Sequence, residues 1–254
     1  MGKLEQKVIV ITGGTRGVGR VVSYAFAREG AKVVMGDLDD TTAQPILDGV
    51  RAFGGEAMFV QCDVRSPENC KRLFDTAYEA YGKIDGHFNY AGITPVSPLD
   101  TCDEETFDAV MDTDFKGSFF CCQNAIRYMR KNGGGSIVLT GSPHAWCGDI
   151  DRTAYACAKG AVYTLSEHIA HQYAREHIRC NYLVPGWTAT DGEIELRRTQ
   201  GMTEAQMRAW ADPQIPMGRM CEATDYTDAL IFLFSDAAWA TTGSILRMAG
   251  GLYL

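Results

Sequence analysis

The sequence holds no run of lysines and arginines, and its acidic residues outnumber the basic ones, 32 to 24. A protein that neutralises nucleic-acid phosphates needs a clustered basic surface, so nucleic acid is not an expected partner. No stretch approaches the roughly 18 uncharged apolar residues of a membrane-spanning helix, so a membrane is not expected either. The opening MGKLEQKVIVITGG has no long apolar segment and no cleavage site. Met1-Gly2 matches the start of a myristoylation signal, but Gln6 stands where that signal has Ser or Thr. The nine cysteines (Cys62, Cys70, Cys102, Cys121, Cys122, Cys147, Cys157, Cys180 and Cys221) are odd in number and contain no CxxC and no Cys/His ligand pair. That excludes a disulfide framework and a cysteine metal cage, and no metal is expected. The expectation is reduced, mostly buried thiols in a cytoplasmic protein. No linker, repeat or low-complexity segment interrupts the 254 residues. A single domain spanning residues 1–254 is therefore expected, long enough to bury a core without staples.

What is present is strand–helix alternation from end to end. Lys7–Thr12 (KVIVIT) is β-branched and apolar, as a strand buried on both faces should be. Further strands are expected at Lys32–Met35, Glu56–Gln61, Ile84–Asn89, Ser136–Thr140, Ile178–Val184 and Ser244–Met248. Helices are expected between them: Gly17 to about Glu29, about Thr41–Phe53, Pro67 to about Tyr81, one long helix at about Glu104–Lys131, and Thr153–His177. A less regular segment with helical pieces at Asp191–Arg198 and Thr203–Ala211 precedes a last helix near Ala223–Ser235. This order predicts an α/β fold, a doubly wound parallel sheet of about seven strands with helices on both faces. Ligands of such sheets sit beyond the carboxyl ends of the strands, where the strand order reverses.

The first strand runs into Thr12-Gly13-Gly14-Thr15-Arg16-Gly17-Val18-Gly19. Glycines at 13, 17 and 19 let the backbone turn tightly and approach a pyrophosphate, and the next helix points free N–H groups at the anion. The spacing is GxxxGxG rather than GxGxxG, so the weight rests on its strand–turn–helix context. Asp37 ends the second strand, near the offset of a carboxylate that binds an adenosine ribose. A carboxylate there accepts from the 2′- and 3′-hydroxyls and repels a 2′-phosphate, favouring NAD over NADP. Arg16 pulls the other way, since a guanidinium in this loop can pair with that phosphate. Asp63-Val64 follows the third strand, where the adenine edge should lie; a turn aspartate explains Asp63 nearly as well.

Tyr155 and Lys159 stand at i and i+4 of a predicted helix and share one face. A nearby ammonium favours the phenolate, and a phenol brought towards neutrality exchanges protons as a general acid or base. Ser142 lies just past the fifth strand, where its hydroxyl can hydrogen-bond a substrate oxygen.

Thr12–Gly19, Asn89-Tyr90-Ala91-Gly92, Ser142, Tyr155-Ala156-Cys157-Ala158-Lys159 and Pro185-Gly186, in this order across the whole chain, resemble the short-chain dehydrogenase/reductase family. The resemblance implies a Rossmann-type fold and hydride transfer between a nicotinamide cofactor and a secondary alcohol or ketone, with Ser142, Tyr155 and Lys159 catalytic. It further implies that Lys159 binds the nicotinamide ribose and that Asn89, Ala91 and Gly92 pass beside the cofactor. Pro185, Gly186, Thr188 and Thr190 would lie near the nicotinamide amide. Homodimers or homotetramers through the two long helices are implied too, although the apolar stripe Ala158, Val162, Leu165 and Ile169 is equally explained by packing on the sheet.

The chain departs from the family pattern at three places. Tyr90 replaces the second Asn of Asn-Asn-Ala-Gly, and Ala249-Gly250-Gly251 replaces Asp-Gly-Gly. The family's fourth catalytic residue, an Asn that holds a helix distortion and a proton-relaying water, falls on Asp114. An ionised Asp accepts hydrogen bonds but donates none. Residues 187–220 are expected to cover the substrate, with Trp187, Met202, Trp210, Ile215 and Met217 apolar and Glu193, Glu195, Arg197 and Arg198 on a solvated helix face. His144, Trp146, Thr94, Pro95 and Trp187 are candidate pocket-lining residues. The preferred reading is an NAD-dependent dehydrogenase for a sugar, polyol or other cyclic alcohol. An NADP-linked 3-ketoacyl-type ketoreductase and a catalytically silent dinucleotide-binding scaffold are the alternatives.

Overall fold

The computed structural model describes residues 2–147 and 151–252; Met1 of the Met1-Gly2 start lies outside them. The strands are β1 (Val8–Thr12), β2 (Lys32–Asp37), β3 (Glu56–Gln61), β4 (Gly86–Asn89), β5 (Gly135–Thr140), β6 (Ile178–Pro185) and β7 (Ile245–Met248). They form one parallel sheet in the order β3-β2-β1-β4-β5-β6-β7. The helices are α1 (Gly17–Arg28), α2 (Ala43–Ala52), α3 (Pro67–Tyr81), α4 (Glu104–Val110), α5 (Gly117–Asn132), α6 (Thr153–Gln172), α7 (Asp191–Thr199), α8 (Glu204–Ala211) and α9 (Thr227–Phe234). The expected doubly wound α/β fold is the observed one.

The period of two along β1 explains why the sheet needs helices on both faces. Val8 and Val10 join one core with residues of α3, α5 and α6, while Ile9 and Ile11 join another with α1 and α9. All the β1 residues are buried, and burying such a side chain contributes roughly 1.5–3 kcal/mol. Helix ends follow local chemistry. Ser66 caps α3 by accepting from the Asn69 N–H, Pro67 opens that helix, and Gly82 closes it at φ 73°. Gly133 closes α5 at φ 79°.

One departure from the sequence expectation concerns the site. The long helix at about Glu104–Lys131 is not regular: Met111–Lys116 form a π-helical turn between α4 and α5. One extra residue in a helical turn displaces the side chains that follow it, and such turns concentrate at functional sites. The segment 187–220 carries its own small core of Met207, Ala211, Ile215 and Met220, against which Trp187, Ala189 and Ile194 pack. All nine cysteines are free, and Cys62, Cys70, Cys121, Cys122, Cys180 and Cys221 are buried. Among the described residues no helix is long and apolar enough to cross a membrane.

The strand order reverses between β1 and β4, whose carboxyl ends lead to Gly13 and to Tyr90. The pair is held from within by His87 on β4, fully buried, whose Nδ1 lies 3.1 Å from the Val10 carbonyl oxygen and whose ring meets Phe74 edge-on. Burial depresses the imidazole from 6.5 to about 4, outweighing the opposing effect of the Val10 bond. Between these values the unfolded chain binds more protons, so this stability is present above pH 6.5 and declines as pH falls towards 4. His87→Gln is therefore expected to flatten the loss of unfolding free energy over that window by on the order of 2–3 kcal/mol, read from denaturant titrations at several pH values. An unchanged pH slope would show that His87 does not set it.

Candidate active site

The loop after β1 is shaped for close approach. Gly13 and Gly17 have φ of 69° and 50°, conformations that suit glycine. A Cβ on Gly19 would stand 2.0 Å from the Gly13 carbonyl oxygen, so loop and helix touch only because that position is glycine. Helix α1 then starts at Gly17 with Arg16 extended and no side-chain cap. Its first N–H groups thus face the crevice without an acceptor from the N-cap residue. Val18 is buried at its start.

Asp37 faces this loop from the end of β2. Its Oδ2 accepts from the Thr15 hydroxyl at 2.6 Å and from the Thr15 N–H at 3.3 Å, and its Oδ1 accepts from the Leu38 N–H at 2.8 Å. Arg16 pairs with Asp39 at 3.2 Å on the surface. Asp63 is clasped by Arg65, whose side chain and N–H both donate to it, and that holds its carboxyl below the usual range. Val64 beside it packs where α5 begins, within 2.9 Å of a Cβ placed on Gly117. Asn89 donates to the Ser118 hydroxyl at 2.8 Å and accepts from Thr12 at 3.3 Å, which ties β1, β4 and α5 together.

Next to this crevice lies a buried ion pair. Lys159 Nζ sits 3.0 Å from Asp114 Oδ1, and the two side chains are 4% and 0% exposed. The contact is an ion pair, and among the described residues no donor is aligned on Asp114 Oδ1 for a hydrogen bond. Lys159 also donates to the Thr140 carbonyl at 3.2 Å. Burial pulls the ammonium's pKa down, but Asp114 and the neighbouring Tyr155 more than offset it, so Lys159 stays above its ordinary range. The other carboxylate oxygen of Asp114 accepts from the Ile93 N–H at 3.0 Å. The π-helical turn presents Asp114 here, and the Ser118 hydroxyl donates to its carbonyl. Gly92 closes over the pair: a Cβ there would lie 2.6 Å from Asp114 Oδ1 and 3.5 Å from Lys159 Nζ.

Lys159 Nζ lies 5.4 Å from the centre of the Tyr155 ring, and the His144 ring meets Tyr155 edge-on at 5.9 Å. Ser142 is buried at the end of the β5 connection, where its Oγ accepts from the His144 N–H at 3.2 Å. Pro185 ends β6, and Gly186 passes so close to Ala249 that a Cβ would lie 2.5 Å from its Cα. Thr188 pairs with Tyr226 through their hydroxyls at 2.6 Å, and Thr190 caps α7. Ala91 N–H reaches the Thr12 hydroxyl at 3.5 Å.

The candidate lining residues each engage neighbours of their own. Thr94 is exposed and accepts from Arg152 at 2.6 Å. Trp146 stacks edge-on with Tyr163 and Tyr182 and lies under Arg247. The solvated-face expectation fails for Glu193 and Arg197. Their 2.8 Å ion pair is mostly covered, and the Arg197 guanidinium lies over both the Trp187 and the Trp210 rings. Apolar rings on one side of α7 cover that pair, whereas Glu195 and Arg198 pair in solvent. Tyr182, unremarked in the sequence, donates to the Lys159 carbonyl at 2.8 Å. Only the fold brings it there, so spacing carried no signal for it.

The family model described as Enoyl-(Acyl carrier protein) reductase matches residues 13–253. A 7alpha-hydroxysteroid dehydrogenase of Clostridium sardiniense is 33% identical over 100% of this chain and 96% of its own length. The chain belongs to the short-chain dehydrogenase/reductase family. An L-rhamnose 1-dehydrogenase (NAD(P)(+)) of Azotobacter vinelandii is 32% identical, covering 99% of this chain and 98% of that one. A short-chain type dehydrogenase/reductase from Mycobacterium marinum superimposes with a TM-score of 0.90 at 32% identity, over 98% of this chain and 96% of that one. As a member of this family the chain is an oxidoreductase that uses a nicotinamide cofactor.

Among short-chain dehydrogenases/reductases, which commonly carry Asn at the position of Asp114, this carboxylate makes the lysine site neutral as a pair. Truncating one partner of a buried ion pair leaves the other charge uncompensated and costs about 3–5 kcal/mol. Asp114→Leu is expected to lower the unfolding free energy by about that amount in guanidinium titrations, and Asp114→Asn, which keeps an oxygen for the Ile93 N–H, by less. Equal and small losses in both variants would contradict the coupling.

Proposed function

We propose that this enzyme is an NAD-dependent dehydrogenase acting on a secondary alcohol, or the corresponding ketone, carried on a sugar, polyol or other ring. The observation that carries the proposal is the Lys159–Asp114 pair set beneath Tyr155, next to the glycine-rich start of α1 and the Asp37 carboxylate. These features fit a dinucleotide. Gly13, Gly17 and Gly19 and the α1 amides would take the pyrophosphate, Asp37 the adenosine ribose, and Lys159 the nicotinamide ribose. Asp63, Val64, Asn89, Ala91, Gly92, Pro185, Gly186, Thr188 and Thr190 would line the remainder.

The preference for NAD is argued from charge. Thr15 holds the Asp37 carboxylate at the loop, where it would repel a 2′-phosphate, and Arg16 is engaged by Asp39. That exposed pairing competes with a 2′-phosphate for the cation an NADP-linked ketoreductase would use.

When bound, the nicotinamide supplies a hydride acceptor or donor. In oxidation, Tyr155 takes the proton of the substrate hydroxyl as its carbon loses hydride. Ser142 Oγ accepts from the His144 N–H, so its own proton is available to the substrate oxygen. Lys159 provides the positive charge that steadies the phenolate, and Asp114 holds Lys159 in place. His144, Trp146, Thr94 and Trp187 would line the substrate side, with residues 187–220 as its cover. The hydroxysteroid and rhamnose dehydrogenases among the relatives support a ring alcohol. An apolar groove of about 900 Å³ between α5 and α6, lined by Phe115, Phe119, Ile126, Leu165 and Tyr173, contains none of these residues. We assign it to contact between copies of the chain in a dimer or tetramer.

Tyr155→Phe is expected to lower kcat for cyclic alcohols with NAD by roughly 10²–10⁴-fold while leaving NADH affinity unchanged, as followed by NADH formation and by calorimetry. Near-normal turnover would remove Tyr155 from its role.

A further inference from the structure

Tyr90 stands where the family commonly has Asn, and its side chain runs beneath the glycine-rich loop rather than away from it. Cβ atoms placed on Gly13 and Gly19 would meet the ring at Cδ1, at 3.3 and 3.1 Å. The ring stacks on Phe88 with centres 5.8 Å apart, which fixes its direction. At the far end the hydroxyl reaches the start of α1. Its oxygen accepts from the Val18 N–H at 3.4 Å and lies 3.1 Å from a Cβ placed on Gly17. The N-cap residue, Arg16, gives that helix start no side-chain bond, so the phenol is the polar side-chain group at the amides assigned to the pyrophosphate.

The hydroxyl's own proton is the useful part. No hydrogen bond that uses it occurs among the described residues, the oxygen having only its bond from Val18. Burial holds the phenol above its ordinary range, so the proton is retained at neutral pH. A polar O–H next to a helix start, with its oxygen already satisfied by the Val18 N–H, is complementary to an anionic oxygen. Asparagine is too short to carry a donor from the end of β4 along this path to the helix.

We propose that the Tyr90 hydroxyl is a ligand of the cofactor's pyrophosphate, donating its proton to a phosphate oxygen beside the Val18 amide. This rests on the dinucleotide reading of the crevice and adds to it a donor supplied by a side chain from the β4 end. Around the same loop, Thr190 Cγ2 lies 3.4 Å from the Gly17 Cβ position, and Arg20 on α1 pairs with Asp191 of α7 at 2.9 Å. The start of α7 therefore borders the loop on the side of residues 187–220.

The test is calorimetric titration of wild type and Tyr90→Phe with ADP-ribose, a probe that has the pyrophosphate but no reacting ring. It is joined by the ³¹P spectrum of the bound probe and the Tm of the ligand-free proteins. Phenylalanine keeps the ring and its stack on Phe88. The proposal expects ADP-ribose to bind about tenfold more weakly, a hydrogen bond to a charged group being lost, with displaced ³¹P resonances and an unchanged Tm. Equal binding, or tighter binding because the phenol had been in the way, overturns it. So does a weakening matched by a fall in Tm, which would make Tyr90 a support of the loop only. If wild type itself fails to bind ADP-ribose, the dinucleotide reading falls and takes this proposal with it. If wild type binds and the variant binds alike, the proposal falls alone.

Discussion

An ammonium group buried beneath the carboxyl edge of a sheet has to be compensated, or desolvation strips its proton. In this protein Asp114 provides the compensation for Lys159, and the surrounding architecture depends on the two meeting. The π-helical turn presents Asp114 to the pair, Ile93 N–H engages its second oxygen, and Gly92 leaves room above it. Tyr182 from β6 fixes the turn of α6 that carries Lys159. Thus β4, β6, the π-helical turn and α6 converge on one charge pair. In the proposed reaction Tyr155 works against a lysine that is charged yet neutralised, a different electrostatic setting from that of relatives with Asn in this position.

The half of the crevice proposed for the cofactor is organised by a separate logic, in which side chains hold each other away from or towards an anion. Thr15 holds Asp37 at the loop, and Asp39 draws Arg16 off to the surface. Across the crevice, the guanidinium of Arg197 joins Trp187 to Trp210 and so ties the two helices of segment 187–220 together. That arrangement gives the proposed cover a stiff centre. Its apolar rim residue Met217 stays 79% exposed.

Much of this was legible in the sequence because the signals are local. Four consecutive apolar residues at Val8–Ile11 followed by spaced glycines define a buried strand and a tight turn without reference to the rest of the chain. Tyr155 and Lys159 share a face by helical period alone. The ordered motifs indicated the family, and with it the place of Ser142. The π-helical turn was not legible in composition, because one additional residue in a helical turn leaves the apolar period nearly intact; only the family resemblance pointed to a distortion there. The Arg16–Asp39 pair was not legible either, since a surface guanidinium chooses among several carboxylates by loop geometry. Glu193 and Arg197 read as a solvated i,i+4 pair because spacing does not say which face of a helix another element covers. Tyr90 showed as a departure from pattern, but its reach to Val18 is a property of the folded loop.

Titrating the wild-type protein with NADH and with NADPH, followed by quenching of its tryptophan fluorescence, reads the effect of the Asp37 carboxylate on the cofactor. With Asp37 at the loop and Arg16 held by Asp39, NADH is predicted to bind more tightly by at least about tenfold, or about 1.4 kcal/mol. Equal affinities, or tighter binding of NADPH, would contradict the charge argument, and binding of neither would contradict the cofactor site itself.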